Sequence, residues 1–326
     1  MTRTNTAIFL TLFLSLTSPL FAGGQSEAPT GELTYPLSIV ATTGMIGDIV
    51  AHVAGDLGVV QTLMGSEVDP HLYRPTRADV ARLQSADIIF YNGLMLEGRM
   101  GDTLVQIGRS RRVHAVTELI DQSDLLESDD YEEAWDPHLW MNVRLWMEAV
   151  EVVVQALVEM DPQNSATYRE NADRYLAELE ELDRYVSEIV ATIPETRRVL
   201  VTAHDAFGYF GSAYGLEVLG VQGMSTESEA GLEDINSLVR FIVDNEITAV
   251  FAESTVADRA LQAVIEGAAD RGQSVIIGGE LFSDAMGPAG TYEGTYIGMI
   301  DHNATTIVRA LGGEAPERGH RGLLSN

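Results

Sequence analysis

From Leu37 onward the chain alternates short β-branched runs with stretches of helical period. Ser38–Ala41 predicts a strand, Ile46–Ala54 a helix, Val59–Leu63 a strand, Arg77–Gln84 a helix and Ile88–Tyr91 a strand. Strands and helices alternating at this spacing predict βαβ units and a mainly parallel sheet. An acidic loop follows over Asp121–Asp136, then a helix over Val143–Met160, stopped by Asp161-Pro162. The alternation restarts with a strand at Val199–Ala203, a helix opened by Asp205 over Phe207–Tyr214 and a strand at Glu217–Val221. A helix over Leu232–Asn245, a strand at Ala249–Ala252, a helix over Ala257–Arg271 and a strand at Ser274–Ile277 come next. Tyr296–Leu311 is the final helix.

Between these halves lies the longest helical pattern, Ala166–Thr192. Tyr175, Leu179, Leu182, Val186 and Ile189 recur every three or four positions, and Pro194 ends the run. We read it as a rigid connector. The expected fold is α/β, with two lobes of mainly parallel sheet joined by one long helix. The first lobe covers 37–165, the connector 166–193 and the second lobe 194–326. Loops at the strand ends would face the cleft between the lobes, where ligands of such folds bind.

The first residues have a different character. After Arg3, Ala7–Leu20 is apolar but too short to span a membrane comfortably, which fits a secretory signal. Cleavage is expected near Ala22, leaving 23–36 as a flexible leader; an uncleaved anchor is the alternative. No later apolar run is long enough to cross a bilayer, so the mature protein is expected to be exported, periplasmic and soluble; a monomer is expected as well. There is no cysteine, which removes disulfides, thiolate ligands and a lipidated N-terminal cysteine. Any metal must be held by nitrogen and oxygen. The charge of −29, from 49 acidic and 20 basic residues, argues against a nucleic-acid partner.

Asp69-Pro70-His71 and Asp136-Pro137-His138 repeat one tripeptide in a chain with only seven histidines and ten prolines. Proline fixes its own φ and holds the preceding Asp extended, so each His stands on a stiff turn. Asp69 and Asp136 could orient the imidazoles or cap the next segment. His204 follows a strand, either as a ligand or as a rim histidine behind a helix-capping Asp205. Asp284 follows Ser274–Ile277 through a Gly-rich stretch, as a ligand or as a turn aspartate. Three imidazoles and one carboxylate would make a tetrahedral N₃O site suited to Zn²⁺, with Mn²⁺ open if the carboxylate binds through both oxygens.

The segments Asp69-Pro70-His71-Leu72-Tyr73, Asp136-Pro137-His138-Leu139-Trp140, His204-Asp205-Ala206-Phe207-Gly208-Tyr209-Phe210 and Gly279-Glu280-Leu281-Phe282-Ser283-Asp284 resemble, in order, the four ligand segments of the cluster A-I solute-binding proteins of ABC importers. The run Gln222–Ala230 and the tail Glu293–Tyr296 are similar to the TroA-type zinc- and manganese-binding branch. The resemblance spans about Leu37 to Leu311. It implies metal ligands His71, His138, His204 and Asp284, two lobes on a rigid helix with metal at their interface, and a small lobe movement on loading. It also implies one cargo ion, Zn²⁺ or Mn²⁺, delivered to a membrane permease and through it to an ATPase. A histidine at position 204 leans towards zinc, while the acidic loop Asp121–Asp136 lacks the histidines of many zinc-specialised relatives.

Glu253 is read either as a carboxylate orienting a ligand imidazole or as a solvated acid at a helix start. His52, His114, His302 and His320 are read as structural or surface residues, and Trp135, Trp140 and Trp146 as packing. The alternatives are a secreted zinc hydrolase or a metal-containing surface adhesin. A catalytic zinc keeps an open position, whereas Asp284 offers a fourth protein ligand here. Neither a His-Glu-x-x-His helix nor a Gly-x-Ser-x-Gly elbow occurs, and no adhesive repeat is present. The expected function is binding, not catalysis.

Overall fold

A computed structural model describes residues 33–128 and 134–325; the expected signal segment, most of the leader and the middle of the acidic loop lie outside them. The first lobe contains β1 (Leu37–Ala41), α1 (Gly44–Ala54), β2 (Gly58–Thr62), α2 (Arg77–Ser85), β3 (Ile88–Tyr91), α3 (Gly101–Ile107), β4 (Arg112–Ala115) and α4 (Val143–Met160). Its strands are all parallel, in the order β2-β1-β3-β4. After α5 (Ser165–Val190), the second lobe contains β5 (Val199–His204), α6 (Gly208–Tyr214), β6 (Glu217–Gln222), α7 (Leu232–Asp244), β7 (Ala249–Glu253), α8 (Arg259–Ala269), β8 (Ile276–Leu281) and α9 (Tyr296–Ala310). Its sheet is parallel too, in the order β6-β5-β7-β8. Both sheets therefore grow in two directions from their first strand. This leaves a crevice at the carboxyl ends of the strands, where side chains can converge on a ligand.

The pattern located most elements within a residue or two, and the differences have local causes. The hydrophobic pattern predicts neither α3 nor β4. The helix is only seven residues long, and β4 is a short, half-buried edge strand, Arg-Val-His-Ala, paired on one side with β3. Short polar edges carry little periodicity. The last strand was expected to stop at Ile277 but runs to Leu281. Two glycines there read as a loop, yet they are required in the sheet. A bulge falls opposite Val250 and Phe251, and α9 packs so closely that an added Cβ on Gly279 would run into Thr306 Cγ2. Nor does Asp205 cap α6, which begins at Gly208 with Phe207 in the capping position.

The 26 residues of α5 span about 39 Å. Tyr168, Tyr175, Leu179, Leu182, Val186 and Ile189 form its buried stripe. Polar ties fix it to both lobes. Tyr175 OH donates to Asp48 Oδ2 of α1 at 2.6 Å, and Tyr185 OH lies 3.1 Å from Thr305 Oγ1 of α9. Asp183, buried on the same helix, accepts from Arg144 Nε of α4 at 2.8 Å and from Tyr214 OH of α6 at 3.1 Å. One apolar core cluster runs from Ile39 and Met45 through Trp140 and Trp146 to Tyr296 and Met299, so the lobes share packing beneath the cleft. Such a shared core is stiff, because close-packed side chains resist sliding. Among the described residues no helix is long and apolar enough to cross a membrane.

Candidate metal centre

The structure brings His71, His138, His204 and Asp284 together, with one potential ligand atom from each lying within 4.8 Å of all the others. Two come from each lobe. His71 stands in the loop after β2, and His138 precedes α4; His204 is the last residue of β5, and Asp284 follows β8. All four are buried.

Each side chain has a local reason for its position. Asp69 Oδ1 accepts from His71 N at 2.8 Å and Leu72 N at 3.4 Å, closing the first Asp-Pro-His turn. In the second copy, Asp136 Oδ1 accepts from His138 N at 2.9 Å and also lies 2.7 Å from His138 Nδ1. That pairing leaves Nε2 facing the centre. Glu253, at the end of the neighbouring strand β7, does the same for His204. Its Oε1 accepts from His204 N at 2.8 Å and its Oε2 lies 2.5 Å from Nδ1. Glu253 is only 2% exposed, so it is the orienting carboxylate and not a solvated acid. Trp140, read as packing, is indeed buried, but its Nε1 also donates to the Ser283 carbonyl at 2.9 Å and so ties the two ligand loops across the interface.

The inner atoms are spaced for a cation. His71 Nε2 lies 3.4 Å from His138 Nε2 and 3.7 Å from Asp284 Oδ2. Asp284 Oδ1 is 3.3 Å from His138 Nε2, and Oδ2 is 3.4 Å from His204 Nε2. Ligand atoms about 2.05 Å from a tetrahedral ion sit about 3.3 Å apart, so the set needs little adjustment. His204 Nε2 and both oxygens of Asp284 are buried without a hydrogen-bond partner among the described residues. A buried carboxylate in that condition costs several kcal/mol unless a positive charge offsets it.

Electrostatics within the cluster are uneven. Burial holds His71 down to about 4. At His138 burial works against the charged form, but the Asp136 and Asp284 carboxylates together outweigh it and lift the imidazole to about 9. At His204 burial is likewise overcome, here by Glu253 and Asp284, and the ring is held well above the ordinary histidine range. Burial would raise Asp284, yet the facing His204 and His138 hold it well below the usual carboxylate range. The centre is therefore arranged around positive charge, carried either on two imidazoles or on a cation.

The other histidines play structural parts. His52 stacks on Tyr175 at 4.0 Å, His114 lies in β4, His302 Nε2 sits 2.9 Å from the Glu280 carbonyl, and His320 packs on Tyr185. What the sequence did not disclose are the contacts made across the cleft. Thr226 Oγ1 donates to Asp69 Oδ2 at 2.5 Å, and Arg99 Nε pairs with Glu227 Oε1 at 2.9 Å. Nothing in their spacing announces them, because each joins residues more than a hundred positions apart.

Two parallel α/β lobes on one spine helix, with side chains able to hold a cation converging between them, are the architecture of a solute-binding protein. The family model described as "Zinc-uptake complex component A periplasmic" matches residues 39–310. The chain belongs to this family. It is 45% identical over 275 residues to the manganese-binding lipoprotein MntA of Bacillus subtilis (strain 168), covering 84% of this chain and 90% of that protein. It is 47% identical over 290 residues to the zinc-binding protein TroA of Treponema pallidum (strain Nichols), covering 89% and 92%. The solved structure of the periplasmic zinc-binding protein TroA from Treponema pallidum is similar throughout. It superposes with a TM-score of 0.81 at 46% identity, over 84% of this chain and 98% of that one.

Proposed function

We propose that the chain is the extracytoplasmic solute-binding component of an ABC importer, and that it captures one Zn²⁺ or Mn²⁺ at a time. His71, His138, His204 and Asp284 are the ligands. The observation that carries this reading is the convergence of three Nε2 atoms on a buried carboxylate whose two oxygens have no hydrogen-bond donor among the described residues. The cation is cargo. It stiffens the interface while held, and docking of both lobes on a membrane permease, powered by its ATPase partner, distorts the centre and releases it. The chain acts as a monomer and is exported by residues 1–22, with 37–165 and 194–326 as its lobes and 166–193 as the connector.

Carriage and not catalysis fits the centre. The four ligand side chains are at most 5% exposed, and the cavity beside them is about 90 Å³, which leaves no room for an organic substrate. A catalytic zinc site keeps a coordination position open to substrate. Three imidazoles and a carboxylate favour Zn²⁺. Both Asp284 oxygens face the imidazoles, which also allows the higher coordination number Mn²⁺ takes. Relatives of nearly equal identity are named for manganese and for zinc, so similarity does not rank the two.

Metal-stripped chain titrated separately with Zn²⁺ and Mn²⁺ tests the reading, alongside His204→Ala and Asp284→Ala. One tightly bound equivalent, weakened by either substitution, is expected. Absence of tight binding, or binding indifferent to both substitutions, would remove the function.

A further inference from the structure

The four ligands are not equally enclosed. The side chains of His138, His204 and Asp284 are fully buried, whereas that of His71 is 5% exposed. Of the four, only His71 reaches the wall of the 90 Å³ cavity between the lobes. Leu94, Met95 and Gly98 line that cavity from the first lobe and Met224, Ser225 and Glu227 from the second, with Ser128, Ala134, Trp135 and Pro137 completing the lining. Met95 is 79% exposed and carries the wall to the protein surface. The volume holds about three waters, enough to begin rehydrating a cation as it leaves.

The two Asp-Pro-His turns also differ. Asp136 grips the imidazole of its own histidine at Nδ1. Asp69 bonds only the backbone of its turn and reaches across the cleft with Oδ2 to Thr226. Among the described residues, the one carboxylate paired with the His71 ring is Asp284 itself. Asp69 holds the His71 backbone, but the His71 ring has His138 Nε2 at 3.4 Å and Asp284 Oδ2 no nearer than 3.7 Å, while His138 and His204 are held by carboxylates on their rings. On the first lobe the buried Glu97 carboxylate accepts from Thr42 Oγ1 at 2.7 Å and from Asn92 N at 2.6 Å. It braces the turn in which Leu94 and Met95 sit at φ 49° and 66°.

We propose that the cation enters and leaves through this cavity, with His71 the last ligand to close on it and the first to let go. The Asp69–Thr226 bond is the latch that couples release of His71 to separation of the lobes. This rests on the cation-binding function proposed above, and the experiment separates the two. Gly98→Leu fills the cavity from the first lobe, since a Cβ there meets nothing nearer than the His71 carbonyl at 3.8 Å. Ser225→Leu fills it from the second lobe, and covers the case in which the first variant does not fold. Stopped-flow mixing with Zn²⁺ gives the association rate, and mixing the loaded chain with excess EDTA gives the release rate. In each plugged variant both rates are expected to fall together by about tenfold, with Kd held within about twofold. Thr226→Val is expected to raise the release rate by about tenfold with association unchanged. Plugged chains that bind one equivalent with both rates within about threefold of the parent would overturn the route. An unchanged release rate in Thr226→Val would overturn the latch. A parent chain that binds neither Zn²⁺ nor Mn²⁺ would instead overturn the function itself.

Discussion

Proton release on cation binding follows from the charge arrangement of the centre. His138 is held at about 9 and His204 well above the ordinary range, while His71 is held at about 4. Between about pH 5 and 8 the metal-free centre therefore carries two imidazolium rings and one neutral ring. A cation needs the Nε2 lone pair of all three, so two protons must leave as it binds. The sign is fixed: both groups prefer the proton when the cation is absent, so affinity weakens as pH falls. Two protons give about a hundredfold loss of affinity per pH unit, or about 2.7 kcal/mol. The slope flattens as pH rises through about 9, where His138 gives up its proton unaided. Competition against a chromophoric chelator over a pH series measures the slope. A dye in weakly buffered solution counts the protons directly. A slope below about one, or fewer than one proton released per cation, would refute the assignment of charge to His138 and His204.

Two further expectations concern residues outside the ligand set. Glu253→Gln replaces the carboxylate that orients His204 with a group that can accept at only one atom. It should weaken Zn²⁺ binding by about 10- to 100-fold with the thermal transition of the metal-free chain retained; unchanged affinity would deny Glu253 its orienting role. Gly279→Ala forces a Cβ against Thr306 where β8 meets α9. It should cost about 1–3 kcal/mol in chemical denaturation, and no loss would mean that the bulge does not depend on this close approach.

Much of the architecture is legible in the chain itself, because parallel α/β lobes bury their strands on both faces and leave continuous β-branched runs. Val199–Ala203 and Ala249–Ala252 could be read for this reason, and α4 and α5 declare themselves through a long apolar stripe. Where burial is partial the signal fades. β4 pairs with one neighbour only, and β8 hides behind two glycines that allow close contact with the next helix, α9.

The candidate centre divides along the same line. Sequence alone determined the kinds of ligand available. The repeated Asp-Pro-His turn, a histidine and an aspartate at strand ends, and the lack of cysteine leave a nitrogen and oxygen donor set. What the two identical tripeptides do was decided only by tertiary structure. Asp136 turns to its own ring and Asp69 to Thr226, although both turns meet the second lobe: Tyr209 OH of α6 donates to the Asp136 carbonyl at 3.1 Å. The same holds for Glu253, which strand pairing of β5 with β7 brings to His204, and for Trp140, which meets Ser283 across the interface. A local pattern specifies a side chain and its backbone setting. Its partner depends on which distant segment the packed core brings within hydrogen-bond reach, and spacing along a chain does not encode that distance.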